Sequence, residues 1–448
     1  MKLNPFAGKL NYKLLAVYLA LFLGAAALGV AMLLHIYGDK LLNDYIKGKV
    51  ERALAGAHEG YSLELGGLTY SFGANRMDAR TIILNTSELT LTIDRISLSG
   101  VRWLRLIWGN IALSDLMSNA NIDATGLNIK FPKTRYKILC DHIYASAPDA
   151  ELFAKGIELS PFIKDEEIFS KPFRTTRFSV LVPTVTVTGL NYKGLLKGKS
   201  FKAKSVTLTT PSFDAFVNRD KTVEPFVKSP LMVHEALSTI NRPLRIDSLG
   251  VTDGSIKYSE RVAAGAKPGI ITFTAVNMDI KGITNRGAPK AAIKVSAQGK
   301  LMNAGLLKVV MAIPVKPKDF SMSYYGSLEA MDLTRLNAFL VIAEHTRVKS
   351  GTVQELTYKI DVNSGTASGN VIAVYKDFSI GVLDIKSGSE HSISSFLANA
   401  FKIWSTSDRL ASGILKPGEV KYTKLRDEGF MQFVWYALRS GVLDTINR

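Results

Sequence analysis

From residue 61 onward the chain alternates apolar and polar residues with a period of two. Leu63 and Leu65, then Leu89, Leu91 and Ile93, then Ile96 and Leu98 all follow this rule. Such alternation puts apolar side chains on one face of a sheet and polar ones on the other. The phase slips by one at Asp94-Arg95, which predicts a bulge or bend. The pattern continues through Val185-Thr186-Val187, Val206-Thr207-Leu208, Ile271-Thr272-Phe273, Ile293-Lys294-Val295 and Tyr358 to Val362. About twenty runs of strand length, roughly 5–6 residues, fit this template. Helical spacing interrupts only briefly, around 101–108, 229–240, 332–343, 392–404 and 428–446.

The first sixty residues follow other rules. Leu14 to Leu34 carry no charge. This run makes about 31 Å of helix, enough to cross a bilayer core. Ala25-Ala26-Ala27 could serve as a cleavage site. The apolar run nevertheless continues through Val30, Met32, Leu33 and Leu34, which favours an uncleaved anchor over a signal peptide. The short N-terminal tail and long hydrophilic body predict a cytosolic tail and an exported body. Residues 39–57 then read as an amphipathic helix, with Leu42, Tyr45, Ile46, Val50, Ala53 and Leu54 at three- and four-residue steps.

A weak repeat runs through the body. Thr125-Gly126-Leu127-Asn128 matches Thr188-Gly189-Leu190-Asn191, and Asp253-Gly254-Ser255-Ile256 follows in frame. The even spacing of Gly126, Gly189 and Gly254 predicts three turns or bulges at positive φ within a repeated unit.

The formal net charge of +17 invites a nucleic-acid reading. The basic residues are scattered, however. The densest set is Lys193, Lys197, Lys199, Lys202 and Lys204; within each of the pairs Lys197/Lys199 and Lys202/Lys204 the residues are two apart, as on one face of a strand, and the set reads as a polar, solvated sheet face. Attraction to anionic lipid headgroups is the sharper alternative, and nucleic acid ranks last behind an anchor that exports the domain. The single cysteine, Cys140, excludes a disulfide framework within the chain and reads as a buried structural residue. The six histidines show no metal-ligand spacing, and no nucleophile elbow or phosphate loop occurs. Asp165-Glu166-Glu167 reads as a solvated turn. These features give no catalytic, cofactor or metal site and predict a protein that is not an enzyme. Two aromatic segments remain, Trp103 to Trp108 and the stretch with Phe430, Phe433 and Trp435. Either could touch a membrane or a partner; packing on the sheet, or over its open end, is the plainer role.

In order and pattern the chain resembles the AsmA-like superfamily. The resemblance rests on the anchor, the amphipathic helix, the strand pair Tyr61–Tyr70 and Met77–Leu84, and Leu89–Ser99 leading into the tryptophan segment. It extends through Leu244–Tyr258, Gly269–Ile283 and Tyr325–Leu340. It implies a protein of the bacterial cell envelope, held in the inner membrane by one span, with its bulk in the periplasm. The implied fold is mainly β with few helices: an elongated, twisted antiparallel β-sheet curled into an apolar groove. Its expected layout is a tail (1–13), a transmembrane anchor (14–37), an amphipathic helix (39–58), two β-groove regions (60–225 and 226–388) and a helical tail (389–448). The implied function is phospholipid transport between inner and outer membranes, part of outer-membrane biogenesis. The groove-facing candidates are Leu89, Leu91, Ile93, Val185, Val187, Ile271, Phe273, Ile293 and Val295. The alternative is an envelope interaction protein that assists outer-membrane protein assembly. Expected partners are phospholipids, the membrane and an envelope protein.

Overall fold

The computed structural model of the chain describes residues 62–71, 74–101, 117–224, 229–263, 265–288, 291–315, 319–383, 405–407 and 415–447. The expected anchor, the amphipathic helix, Trp103, Trp108 and the pattern at 392–404 lie outside the described residues. Among the described residues no helix is long and apolar enough to cross a membrane.

The fold is mainly β, one long, twisted and curved sheet of seventeen strands. The first nine are β1 (Ser62–Ser71), β2 (Arg76–Asn85), β3 (Thr90–Ser99), β4 (Asn121–Phe131), β5 (Tyr136–Ser146), β6 (Glu151–Pro161), β7 (Thr176–Thr188), β8 (Phe201–Thr209) and β9 (Ser212–Asn218). The rest are β10 (Leu244–Arg261), β11 (Gly269–Thr284), β12 (Ala292–Leu301), β13 (Gly305–Pro314), β14 (Met322–Asp332), β15 (Thr346–Asn363), β16 (Thr366–Val382) and β17 (Gly418–Thr423). Among the described residues five α-helices accompany them: α1 (Asp165–Phe169), α2 (Tyr192–Leu196), α3 (Val233–Ser238), α4 (Asn337–Ala343) and α5 (Phe430–Ile446).

From β1 to β7 each strand pairs antiparallel with the next in sequence, and the same holds from β10 to β17. The expectation of a wholly antiparallel sheet fails at one joint. There β8 and β9 lie end to end, both antiparallel to β7 and both parallel to β10. The cause is the connection after β9. It does not turn back as a hairpin but crosses over through α3, so that Leu244 re-enters beside Phe201. Thr210, at φ 49, and Pro211 break the row between β8 and β9.

The slip at Asp94-Arg95 belongs to a crease that crosses the sheet. Residues Gly66, Thr81, Asp94, Gly126, Asp141, Gly156 and Pro183 stand at one level on β1 to β7, where the regular cross-strand pairing is interrupted. Thr81, Gly126 and Gly156 have positive φ, on alternate strands. At this level two residues in succession leave the apolar face: Arg80 and Thr81 lie between buried Ala79 and Ile82, and Asp94 and Arg95 between buried Ile93 and Ile96. The apolar positions on both sides therefore stay on one face and form one cluster. A residue in the left-handed region bends the strand and resets its alternation. The crease continues at Asp253 (φ 51) and Ala275 (φ 49), and ends where β11 shifts register against β12.

The repeat glycines do not mark three copies of one unit. Gly126 lies inside β4, and Gly189 follows the end of β7, ahead of the Asn191 cap of α2. At the third site Asp253 takes the positive φ in place of Gly254. Lys202 and Lys204 are exposed on one face of β8, as their spacing predicts, whereas Lys193 lies in α2 and the pair Lys197/Lys199 follows that helix rather than lying on a strand. Asp165, Glu166 and Glu167 form the first turn of α1 rather than a loop. The tail expected to be helical also contributes a strand, β17.

Helices cover parts of the sheet. The buried side of α5, with Phe433 and Ala437 at 0% exposure, packs with Tyr324, Ile360, Val371 and Val420 of the sheet. Gly418 and Gly441 permit the close approach: a Cβ on Gly441 would stand 2.6 Å from Val371 and Val420 methyls. Helix α5 also caps the last strand, where Asp444 accepts from Glu419 N (2.8 Å) and Ser440 accepts from Lys421 N (3.2 Å). Backbone donors of β17 that no further strand among the described residues engages are thereby satisfied. Helix α4 rests on β10, β11 and β15 together.

Candidate functional site

Register converts the alternation into continuous stripes. One row runs Leu63, Leu84, Leu91, Ile129, Ile138, Leu159, Val180, Phe213, Ile256, Phe273, Leu301, each directly opposite the next. It crosses eleven strands, about 48 Å at roughly 4.8 Å per strand, with no polar member. A second row crosses sixteen, from Leu68 through Ile96, Val185, Val251 and Tyr358 to Gly418. A third includes Leu98, Val187, Val206, Val295 and Tyr324.

The nine groove candidates all belong to this face. Leu91, Phe273, Val185, Val187 and Val295 stand in the rows above. Ile93 opposes Ile82, Ile271 opposes Tyr258, Ile293 opposes Ile313, and Leu89 leads into β3 on the side of Leu91. Their cover differs along the sheet. Leu89, Leu91 and Ile93 are buried within one cluster built from β1 to β4 and the segment after β3. Ile293 and Val295 pack in the cluster that α5 and α3 help to fill. Between these ends Ile129, Ile138, Leu159, Val180, Val185, Ile271 and Phe273 are only half-buried, and Phe213 is 41% exposed. Val187 is buried with Leu190, Ala203 and Val206 in a small cluster that Tyr192 and Leu195 of α2 also fill, so the apolar face is filled at both ends and only partly covered between them.

Residues that sequence reasoning missed lie mostly in that middle. Ile138 and Phe213 show the right alternation, but Phe213 follows the Thr210-Pro211 break, and its place opposite Val180 comes from the β7–β9 pairing. Cys140 also faces this side, opposite Leu127. It is 3% exposed, its Sγ donates to the carbonyls of His142 (3.4 Å) and Lys155 (3.3 Å), and burial pushes its thiol pKa up. A buried, protonated thiol is a poor nucleophile. The expected membrane or partner aromatics separate. Phe433 is wholly buried against Phe320 (ring centroids 5.2 Å) and Tyr422 (5.9 Å), Phe430 is half-buried, and Trp435 is exposed beside Met431.

Polar chemistry keeps to the other face and the rims. Asp78 accepts from Arg76 (2.9 Å), Arg95 (2.9 Å) and Ser97. Burial alone would raise its pKa, but these bonds outweigh it and hold the carboxyl at about 2. Arg219 donates to Glu260 (2.8 Å), whose other oxygen accepts from Tyr258. Among the described residues no group of three or more His, Cys, Asp or Glu could hold a metal ion. No protein-family model matches the chain, and no curated protein matches it.

Proposed function

We propose that this is an envelope lipid-transport protein whose curved sheet forms a groove that shields phospholipid acyl chains. One observation carries the reading: an apolar stripe that continues across sixteen strands while much of its middle is only half-buried. A sheet normally buries such a face against another layer. Acyl chains supply that layer at roughly 0.8 kcal/mol per buried CH₂. Passage along a dry stripe requires no catalytic group. The N-terminal run at 14–34 is the proposed inner-membrane anchor and puts the sheet in the periplasm. Site-specific photo-crosslinkers test the reading in cells. Probes at Val185, Ile271 and Phe273 capture phospholipid, whereas probes at the adjacent outward positions Thr186 and Thr272 do not. Equal labelling at both sets, or none at either, removes the groove.

The envelope interaction reading has one observation in its favour. Leu425 (58% exposed), Met431 (68%) and Trp435 (38%) leave apolar surface on and beside α5. Recovery of an envelope protein by wild type but not by Met431→Ser with Trp435→Ser supports it.

A further inference from the structure

The starts of β8, β10 and β12 and the end of β11 meet at one rim, where register sets cations side by side. Lys202 lies opposite Arg245, and Lys281 opposite Lys294; with Lys204, all five are exposed. The loops add four more. Phe201 N donates to Pro243 O (2.9 Å), which ties the turn after α2 to the end of the crossover. Lys197 and Lys199 on the turn therefore share a corner with Arg242 on the crossover, whose Nη1 stands 2.8 Å from the place of a Cβ on Gly198. Arg286 joins them by donating to Asn241 O (3.2 Å).

Nine cations thus stand at this rim against three carboxylates. Asp247 pairs with Arg245 (2.6 Å) and Asp279 with Lys281 (3.1 Å), while Glu235 of α3 accepts from Met232 N (2.7 Å). The other seven cations make no ion pair among the described residues. The far end of β10 is different: Lys257 pairs with Asp214, Arg261 with Asp220, and Glu260 with Arg219. The excess charge is local to one rim. Like charges directly opposite one another destabilise a sheet, so this rim gains from an anionic partner. Two observations give the partner's chemistry. The cations spread over a corner about 14 Å wide, three strand intervals of roughly 4.8 Å. The exposed apolar side chain among them is aliphatic: Ile240, at 40% exposure, leads into Asn241 and Arg242. Base stacking needs aromatic faces, whereas an anionic bilayer takes cations at its headgroups and an aliphatic side chain just beneath them. We propose that this corner docks the sheet on an anionic bilayer surface. The docking surface goes beyond the groove and does not depend on it.

The test reconstitutes the full chain in phosphatidylcholine vesicles and reads, by co-flotation, its capture of a second, labelled population. The second vesicles are phosphatidylcholine alone, or phosphatidylcholine and phosphatidylglycerol in equal parts. Wild type captures the anionic vesicles over the neutral ones by about tenfold or more, and about 1 M salt abolishes the difference. Lys197→Gln/Lys199→Gln/Lys202→Gln/Arg242→Gln loses the difference at an unchanged melting temperature. Lys130→Gln/Lys155→Gln/Lys300→Gln/Lys359→Gln removes the same formal charge from exposed positions spread over the sheet and keeps most of the difference. If the corner variant melts lower than wild type, Lys199→Glu/Lys202→Glu makes the same charge change on two exposed side chains and takes its place. Equal capture of both vesicle types by wild type overturns the proposal, as does a difference that survives in the corner variant or falls equally in both variants. A DNA oligonucleotide that binds wild type but not the corner variant, without vesicle capture, assigns the corner to nucleic acid and overturns it too.

Discussion

The crease makes a quantitative prediction at Gly126. The residue stands at φ 66, and a Cβ there would lie 2.9 Å from the Asp94 Cβ and nearer still to its carboxylate. Gly126→Ala therefore incurs two separate costs. The left-handed backbone costs an L-residue about 1–2 kcal/mol. Overpacking against Asp94 adds about 1–3 kcal/mol, because the carboxylate can swing into solvent but its Cβ cannot. The sum is about 2–5 kcal/mol. Removing the neighbour isolates the terms: in an Asp94→Gly background the same substitution costs only the backbone term. Gly250→Ala is the control, since its φ is ordinary and nothing lies within 4 Å of a Cβ there. It shifts stability by less than about 1 kcal/mol, toward the folded state. Urea unfolding of the four variants and wild type, read by pulse proteolysis, supplies the midpoints. If Gly126→Ala costs no more than Gly250→Ala, the crease is not a strained level of the sheet. If Asp94→Gly leaves the cost unchanged, the close approach plays no part in it.

Three further outcomes follow from the packing and charge. Phe433→Ala empties a site of 0% exposure between Phe320 and Tyr422 and costs about 3–5 kcal/mol; hydrogen exchange detects it as lost protection in α5 and β17, while Trp435→Ala changes stability by less than about 0.5 kcal/mol. Asp78, held at about 2, contributes stability that is present in full above its unfolded value near 3.8 and declines as pH falls through 2. With partial solvent screening the contribution is about 1–2 kcal/mol, so Asp78→Asn lowers the melting temperature at pH 7 but leaves it unchanged near pH 1.5. Val185→Asp with Phe273→Asp places carboxylates on half-buried stripe positions; transport of labelled phospholipid between membranes stops although the protein still inserts and melts cooperatively, and unimpaired transport would falsify the groove.

Much of the face was legible because a strand's period needs only local sequence. Leu89, Leu91 and Ile93 show their side by alternation alone, and the slip at Asp94-Arg95 stands out because both residues are charged. The same slip at Thr125-Gly126 or Asp141-His142 is harder to read: threonine, glycine and histidine fit either face, so the crease becomes visible only when register aligns the strands. The parallel joint was hidden for a different reason. Nothing in Pro211 or in the α3 segment says that Leu244 returns beside Phe201; that pairing is non-local. The even glycine spacing misled because a bend can be placed on any residue that tolerates positive φ, and here Asp253 takes it rather than Gly254.

The two ends of the stripe argue for where a ligand would sit. Acyl chains gain from a surface only what that surface has not already gained from its own side chains. Tyr324, Ile360 and Val420 are at 1% or 0% exposure under α5, so a chain could reach them only by displacing Phe433 and Ala437, at a cost of several kcal/mol. Leu91 and Ile93 are in the same position within the first four strands. The half-buried positions between β4 and β11, such as Ile138 and Phe273, carry no such cost, whereas Val187 and Val206 are buried beside α2. A groove confined to the middle of the sheet is shorter than the stripe itself, about 29 Å over six intervals of roughly 4.8 Å. On these dimensions one copy would span only part of an intermembrane path, so the proposed transport would require either a further carrier surface in series or movement of the loaded sheet.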